Sequence, residues 1–276
     1  MLYLRSLWKL LAVICNFMHI RDLYSLKNKC AVVVGGTGKI GFPISLALAE
    51  AGADVAIASR NKERRRGAAE DLKARGLSAQ SFEMDQSDEQ SVLACLQEIT
   101  EKFKTPDILV NCAVGRPMKK NFEDSAENWD RSMAVNSRGL FITCRAFAKA
   151  MKQHGGGSII NISSIYGMNA PDQNLYKGTE LQTDPDYPFI KGGMIAFSKY
   201  LASFFAKDNV RVNCIAPGGF FNNQPEPFLS RYIKKVPMGR MAQPDDIKGI
   251  TVFLASDASS YITGAVIPLD GGLTIV

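Results

Sequence analysis

The segment that most constrains the fold is residues 29–54, where an apolar run, a cluster of glycines and a helical pattern follow one another. Residues 31–34 read AVVV, which predicts a strand buried on both faces. Four glycines follow within seven positions, and apolar residues then recur at helical spacing until Gly52. This order predicts a phosphate-binding turn, because a helix N-terminus offers free N–H groups to an anion.

The glycine turn contains the hexapeptide GTGKIG at residues 36–41, which fits the pattern G-x-G-x-x-G. Such a turn also occurs without a ligand. Here Asp54–Ser59 supplies a second strand at the distance expected of a βαβ unit, so a dinucleotide site is the favoured interpretation.

The rest of the chain continues this alternation of strands and helices. Further strands are predicted at residues 81–85, 107–111, 158–164, 210–215 and 266–270, and long helices at 130–152 and 188–206. The alternation predicts the α/β class, with a single Rossmann-type, doubly wound parallel sheet flanked by helices. Ligands of such sheets bind at the carboxyl ends of the strands.

The composition supports one domain and excludes several other classes. The chain has 276 residues, 46% of them apolar, without a linker or repeat, which suits one packed domain at residues 23–276. The net charge of +6 comes from scattered residues, so nucleic acid is not a predicted partner. The six cysteines lack metal-site or disulfide spacing, which predicts reduced thiols, a cytoplasmic protein and no bound metal.

Residues 1–22 form an apolar and basic extension before this domain. Lys9, Asn16 and His19 interrupt its apolar stretch, which is shorter than the roughly 18–20 residues that a spanning helix needs. Two interpretations stay open: an interfacial amphipathic helix that contacts a membrane, or an upstream extension with translation starting at Met18. The second is favoured.

A reactive group is predicted where the helix at 188–206 begins. Tyr187 and Lys191 are four residues apart and therefore share one helix face. A phenol normally titrates near 10, but a fixed cation favours the phenolate and makes it a better base at neutral pH. Ser164 can donate a hydrogen bond to a substrate oxygen, and Asn136 can hold a water that links Lys191 to solvent. A Tyr and a Lys at this spacing are common by chance, but together with the glycine turn and Ser164, in this order, they are a strong signal of a catalytic group.

These motifs resemble those of the short-chain dehydrogenase/reductase family over residues 23–272. The matching pieces are GGTGKIG (35–41), Asp85, NCAVG (111–115), VNSRG (135–139), SIINISSIYG (158–167), YPFIKGG (187–193), VRVNCIAPGG (210–219) and ASDASSYITGAVIPLDGG (255–272). The resemblance implies hydride transfer between a nicotinamide ring and an alcohol or carbonyl carbon. It implies that Tyr187 is the general acid/base and that Lys191 tunes it and binds the nicotinamide ribose. Ser164 would stabilise the carbonyl oxygen, and Asn136 would anchor a proton relay.

The expected cofactor contacts follow from the same motifs. The full set is Gly35, Gly36, Thr37, Gly38, Lys39, Ile40, Gly41, Ser59, Arg60, Asp85, Asn111, Ala113, Tyr187, Lys191, Pro217 and Gly218. By resemblance, Asp85 would meet the adenine and Asn111 would steady the central strand. Ser59 and Arg60 stand where an acidic residue would select NAD, and a hydroxyl with a guanidinium suits a 2′-phosphate instead. NADP(H) is therefore favoured, while NAD(H) stays open because Arg60 can also belong to a solvated helix start.

Two departures from the family pattern concern the site. Val34 and Lys39 replace the usual Thr and middle Gly of the glycine loop. Ser164 and Tyr187 are 23 residues apart, about ten more than is usual in the family, and the additional residues lie in 168–186.

Residues 168–186 and 217–228 are predicted to surround the substrate. Both segments are polar and aromatic, which suits a hydroxylated or phosphorylated ligand, with Lys177 placed to meet a phosphate. They resemble the subgroup of the family that accompanies bacterial surface-polysaccharide and flagellin-sugar biosynthesis, which implies a sugar or nucleotide-sugar substrate. The alternatives are a 3-oxoacyl-thioester reductase, a polyol or gluconate-type dehydrogenase, or a dinucleotide-binding regulatory protein without catalysis. By family resemblance, residues 253–272 imply a homo-tetramer or homo-dimer.

Overall fold

The computed structural model describes residues 17–276. The strands are β1 (Cys30–Val34), β2 (Asp54–Ser59), β3 (Ala79–Glu83), β4 (Ile108–Asn111), β5 (Gly157–Ile162), β6 (Val210–Pro217) and β7 (Val266–Leu269). They form a seven-stranded sheet in the order β3-β2-β1-β4-β5-β6-β7, and every neighbouring pair is parallel. The order reverses between β1 and β4, which creates the switch point where ligands bind in such sheets. The predicted α/β class and doubly wound parallel sheet are confirmed.

Helices cover both faces of this sheet. They are α1 (Ile20–Leu23), α2 (Gly41–Glu50), α3 (Lys62–Ala74), α4 (Glu89–Lys102), α5 (Ala126–Met133), α6 (Gly139–Gln153), α7 (Asp186–Phe205), α8 (Glu226–Lys235) and α9 (Lys248–Ala255). α4, α6 and α7 pack on one face, and α2, α3 and α9 pack on the other. Within residues 17–276, no helix is both long and apolar enough to cross a membrane. The predicted extension at residues 1–22 falls largely outside the described residues.

The central position of β1 follows from its side chains. Cys30, Val32 and Val34 belong to one core, whereas Ala31 and Val33 belong to the other. This alternation is the two-residue period of a strand. Because both faces are buried, the strand is apolar at every position instead of alternating with polar residues.

Two of the strands that end earlier than predicted change where site residues lie. β3 ends at Glu83, before Asp85, whose carboxylate accepts hydrogen bonds from Ser87 N at 2.9 Å and Ser87 Oγ at 2.6 Å and so stabilises a turn. β5 ends at Ile162. Ser164 therefore lies beyond the strand, where its hydroxyl accepts a hydrogen bond from Tyr166 N at 3.1 Å and caps a short helical turn.

The long helix predicted at 130–152 is interrupted. A π-helical turn, Ala134–Arg138, separates α5 from α6. Within this turn the side chain of Asn136 accepts a hydrogen bond from Gly115 N at 2.9 Å and donates one to Gly115 O at 2.7 Å. These bonds tie the turn to the segment that follows β4, an arrangement that hydrophobic periodicity does not reveal. π-turns of this kind are frequent at functional sites.

Candidate active site

The glycine turn joins β1 to α2 and is tightly packed on one side. Gly35 has φ +79°, and a Cβ placed on it would lie 2.7 Å from both Cα and N of Ala113. A Cβ on Gly41 would lie 2.1 Å from Gly35 O. A Cβ on Gly38 would meet only Gly35 O, at 3.4 Å. The backbone is therefore held close at Gly35 and Gly41, and it is open at Gly38.

A cleft of about 650 Å³ runs along the carboxyl ends of β1, β2 and β4. Of the predicted cofactor contacts, it is lined by Gly35, Thr37, Gly38, Ser59, Arg60, Asp85 and Ala113. Gly36 and Gly41 serve the packing of the turn instead, and Lys39 is exposed outside the cleft. Ile40 and Gly218 line a second cavity, and Pro217 ends β6. The cleft also contains residues that the sequence reasoning missed, among them Asn61 and Arg64 at the start of α3.

Asn111 lies inside the sheet and does not line the cleft. Its Nδ2 donates to Asn161 Oδ1 at 2.8 Å, joining the neighbouring strands β4 and β5. This geometry agrees with the expectation that Asn111 steadies the central strands. It does not place Asn111 where a cofactor in the cleft would contact its side chain.

The carboxyl end of β2 brings a hydroxyl and a guanidinium to this cleft. The hydroxyl of Ser59 is buried and, within residues 17–276, has no hydrogen-bond partner. Arg60 lies beside it, and its guanidinium is 3.6 Å from the carboxylate of Asp85, with both side chains at least one-third exposed. Burial by itself raises the pKa of Asp85, but the hydrogen bonds from Ser87 and the charge of Arg60 outweigh it and lower the pKa. Arg60 can exchange this weak exposed ion pair for a phosphate contact.

The main chain of Arg60 is held in place by the buried side chain of Arg65. The guanidinium of Arg65, only 7% exposed, donates to the backbone oxygen of Arg60 at 2.9 Å and to the carboxylate of Glu83 at 2.7 Å. The run of arginines at residues 64–66 is therefore not uniformly solvated. Arg65 links α3 to β3 and fixes the backbone from which Arg60 projects.

Tyr187 and Lys191 lie on the first turns of α7, as predicted. The Nζ of Lys191 is 5.7 Å from the centroid of the Tyr187 ring and donates to Ile162 O at 2.6 Å. The guanidinium carbon of Arg116 is 4.0 Å from the same centroid. Burial alone raises the pKa of Tyr187, but the charges of Lys191 and Arg116 and a hydrogen bond with Ser164 outweigh it and lower the pKa.

The structure thus brings Ser164, Tyr187 and Lys191 together despite the long sequence separation. Asn136 is also buried, but both N–H donors of its side chain are used, one by Gly115 O and the other by Ser132 Oγ at 3.1 Å. The side chain therefore fixes the π-turn. A water in the predicted relay would have to donate to Oδ1 of Asn136 or contact the main chain of Asn136.

The second cavity, which Ile40 and Gly218 also line, has a volume of about 380 Å³ and opens beside Tyr187 and Ser164. Tyr166, Tyr176 and Thr183 form a chain of hydroxyls along it, with 2.8 Å between the two tyrosine oxygens and 2.6 Å between Tyr176 and Thr183. The two segments predicted to surround the substrate both contribute to the lining. Below, this space is called the substrate cavity.

The inserted residues 168–186 pack against α8. Leu175 joins Phe228 and Tyr232 in a small apolar cluster, which holds the insert over the substrate cavity. Lys177 does not fulfil its predicted role: its side chain is exposed outside the cavity, because Arg231 binds the Lys177 backbone oxygen and draws this part of the loop toward α8.

Sequence reasoning also missed several residues that line the substrate cavity, notably Arg116, Tyr166 and Tyr232. Two of them had a local signal, since Arg116 directly follows the motif NCAVG and Tyr166 stands two residues after Ser164. Tyr232 had none, because only the packing of α8 brings it to the site.

Comparison with known proteins agrees with this arrangement. A family model described as Enoyl-(Acyl carrier protein) reductase matches residues 36–274. The chain is 37% identical over 254 residues to the 3-oxoacyl-(acyl-carrier-protein) reductase FabG of Chlamydia muridarum, covering 90% of this chain and 98% of that protein. It is 34% identical over 257 residues to the D-threitol dehydrogenase of Mycolicibacterium smegmatis, covering 91% of this chain and 95% of that protein.

A solved structure shares the whole fold. It is a gluconate 5-dehydrogenase from Burkholderia cenocepacia in complex with NADP and tartrate, which superimposes with a TM-score of 0.85 at 30% identity and covers 94% of this chain and 100% of that one. The family model, the curated relatives and the fold agree with one another. The chain therefore belongs to the short-chain dehydrogenase/reductase family of NAD(P)-dependent oxidoreductases.

Proposed function

We propose that this chain catalyses NADP(H)-dependent hydride transfer to or from a carbonyl or alcohol carbon of a polyhydroxylated, sugar-type substrate. The observation that carries the proposal is the lining of the substrate cavity. Besides the tyrosine hydroxyls, Asn222 and Asn223 contribute side-chain amides to it. Two glutamine amides also reach the lining, but that of Gln182 already donates to Lys119 O and Asp184 Oδ1, and that of Gln224 to Phe220 O. Amides and hydroxyls are the groups that recognise sugar hydroxyls, while apolar side chains that share the lining, among them Ile165, Phe220 and Met241, suit the carbon skeleton of a sugar and an acyl chain alike.

In this proposal two residues act on the substrate oxygen, and a third acts through one of them. The hydroxyl of Ser164 donates a hydrogen bond to it, while the phenol of Tyr187 gives it a proton during reduction and takes the proton back during oxidation. Lys191 stabilises the phenolate, and its hydrogen bond to Ile162 O holds the ammonium in place. The nicotinamide, when bound, supplies or accepts the hydride. Asn136 keeps the π-turn, and the backbone beside the site, in position.

NADP(H) is the proposed preference of the cleft. Ser59 and Arg60 support it, because a hydroxyl and a guanidinium at this position suit a 2′-phosphate, and no acidic side chain ends β2. The related gluconate 5-dehydrogenase was solved with NADP, which agrees with this assignment. The test is a fluorescence titration with NADPH and NADH, repeated with Arg60→Ala. Tighter NADPH binding that is lost in the variant supports the proposal, whereas equal NADH binding contradicts it.

A second candidate is reduction of 3-oxoacyl thioesters, which the 37% identity to FabG favours. A polyol or gluconate-type dehydrogenase is the other alternative, and the relatives named for threitol and gluconate support it. The segments PDQNLYKGTE and GGFFNNQPE resemble the surface-polysaccharide and flagellin-sugar subgroup, and this resemblance supports a sugar or nucleotide-sugar. A regulatory protein without catalysis would be expected to lack Tyr187 or Lys191, and both are present.

Turnover assays separate these candidates. Purified protein is given NADPH with keto-sugars or with acetoacetyl thioesters, and NADP⁺ with polyols and aldonates, and NADPH absorbance is followed. Turnover of a sugar-type compound that disappears in Tyr187→Phe supports the proposal. Turnover of the thioester alone favours the second candidate. Turnover that survives in Tyr187→Phe contradicts the assignment of the acid/base.

A further inference from the structure

We propose that Arg116 is an anion-binding residue of the substrate cavity, so that the substrate carries an oxyanion, either a carboxylate or a phosphate ester, close to the reacting carbon. The inference rests on the proposed hydride transfer to a sugar-type compound, and it narrows that class to sugar acids and sugar phosphates. It concerns a residue that lies outside the group Ser164, Tyr187 and Lys191.

The backbone that leads into Arg116 is fixed at the preceding residue, Gly115, while Arg116 itself is exposed. The side chain of Asn136 accepts a hydrogen bond from the N–H of Gly115 at 2.9 Å and donates one to the carbonyl oxygen of Gly115 at 2.7 Å. The guanidinium carbon of Arg116 lies 4.0 Å from the ring centroid of Tyr187 and lines the same cavity. The guanidinium of Arg116 therefore lies beside the phenol of Tyr187, the group proposed to exchange the proton.

The charge of Arg116 has no counter-ion in the part of the chain that the structure describes. No ion pair among residues 17–276 includes Arg116. No acidic side chain among these residues lines the substrate cavity either. The other polar side chains that line the substrate cavity carry hydroxyls and amides, and the buried ammonium of Lys191 adds a second cation nearby. The cavity therefore favours an anion electrostatically.

The shape of the group suits an oxyanion. A guanidinium presents parallel N–H donors that match two oxygens of a carboxylate or phosphate, and such charge-assisted bonds are about twice as strong as neutral ones. A neutral polyol would leave these donors with water or with a single hydroxyl. The surrounding amides would then bind the hydroxyls of the same molecule, so the cavity can recognise a polyhydroxylated anion as a whole.

A rival explanation gives Arg116 one task only, which is to favour the phenolate of Tyr187. That task is independent of the substrate charge, because the phenolate serves neutral and anionic substrates alike. An anion-binding task distinguishes between them. The two explanations therefore differ in how a change at Arg116 affects ligands that differ in charge alone.

The test compares D-glucitol, D-gluconate and D-glucitol 6-phosphate as ligands of the full chain with NADP⁺, measured by calorimetry. Gluconate replaces one hydroxymethyl group of glucitol by a carboxylate, and the phosphate ester adds the other oxyanion. We expect at least one anion to bind roughly tenfold more tightly than glucitol, as hydrogen bonds to charged groups suggest. Arg116→Gln should weaken binding of the preferred anion by about the same tenfold, a larger change than in glucitol binding, so that the preference is lost. Arg116→Lys should retain part of the preference.

The control is Arg145→Gln, which changes the net charge equally. Arg145 lies on α6, paired with Glu89 and stacked on Phe141, outside the substrate cavity. The anion preference should persist in this variant. If both anions bind no better than glucitol, or if their advantage survives in Arg116→Gln, the inference is wrong.

Turnover measurements distinguish a failure of this inference from a failure of the proposed function. Neutral sugars that are reduced without any anion preference would overturn the inference and leave the proposed function intact. Conversely, an anion preference that depends on Arg116, in a protein that turns over thioesters but no sugar-type compound, would overturn the proposed function and support the anion site.

Discussion

Replacing Gly35 by alanine should separate the two tasks of the glycine turn, when compared with the same change at Gly38. At Gly35 the backbone is left-handed, with φ +79°, and the new Cβ would lie 2.7 Å from Cα and N of Ala113. At Gly38 the backbone is not left-handed, and the new Cβ would have only Gly35 O nearby, at 3.4 Å. One substitution strains the fold, whereas the other does not.

The expected size of each effect follows from this geometry. A left-handed residue with a Cβ costs about 1–2 kcal/mol, and forcing the Ala113 backbone aside adds about 1–3 kcal/mol, as overpacking does. Gly35→Ala should therefore lower the free energy of unfolding by about 2–5 kcal/mol, a large part of the roughly 5–15 kcal/mol of a typical domain. Gly38→Ala should leave that free energy nearly unchanged. Its methyl group enters the cofactor cleft, so NADPH binding should weaken.

Urea unfolding without cofactor and NADPH titration measure the two effects independently. Gly35→Ala should unfold at a clearly lower urea concentration, and Gly38→Ala should unfold like the parent protein but bind NADPH less well. This prediction is refuted if Gly35→Ala is as stable as the parent. It is also refuted if Gly38→Ala loses stability without any change in NADPH affinity.

Three further predictions concern other parts of the molecule. Lys191→Met should move the rise of alcohol oxidation to higher pH, because the ammonium offsets the burial that raises the pKa of Tyr187, and the pH profile of kcat shows it. Ser132→Ala removes the hydroxyl that donates to the buried carboxylate of Asp186 and should lower the free energy of unfolding by about 1.5–3 kcal/mol in urea. Light scattering at micromolar concentration should give the mass of a tetramer or dimer, and a monomer mass would contradict that prediction.

The course of residues 168–186 depends on contacts with segments that are distant in sequence. Composition indicated that this insert is polar and near the substrate, but it placed Lys177 at the ligand. In the folded chain, Arg231 and the cluster around Leu175 hold the loop against α8, and Tyr176 faces the substrate cavity instead. The choice depends on contacts with residues more than fifty positions away, which local sequence does not encode.

The sequence by itself determined the alternation of strands and helices, the glycine turn, and the pair Tyr187 and Lys191, because these depend on hydrophobic period and on spacing within a few residues. Only the tertiary structure decided that Arg116 lies over the Tyr187 ring and that Arg65 supports Arg60 from a buried position. It also decided that a π-turn interrupts the long helix. These features arise where segments distant in sequence meet, so their geometry is set by packing and not by local propensity.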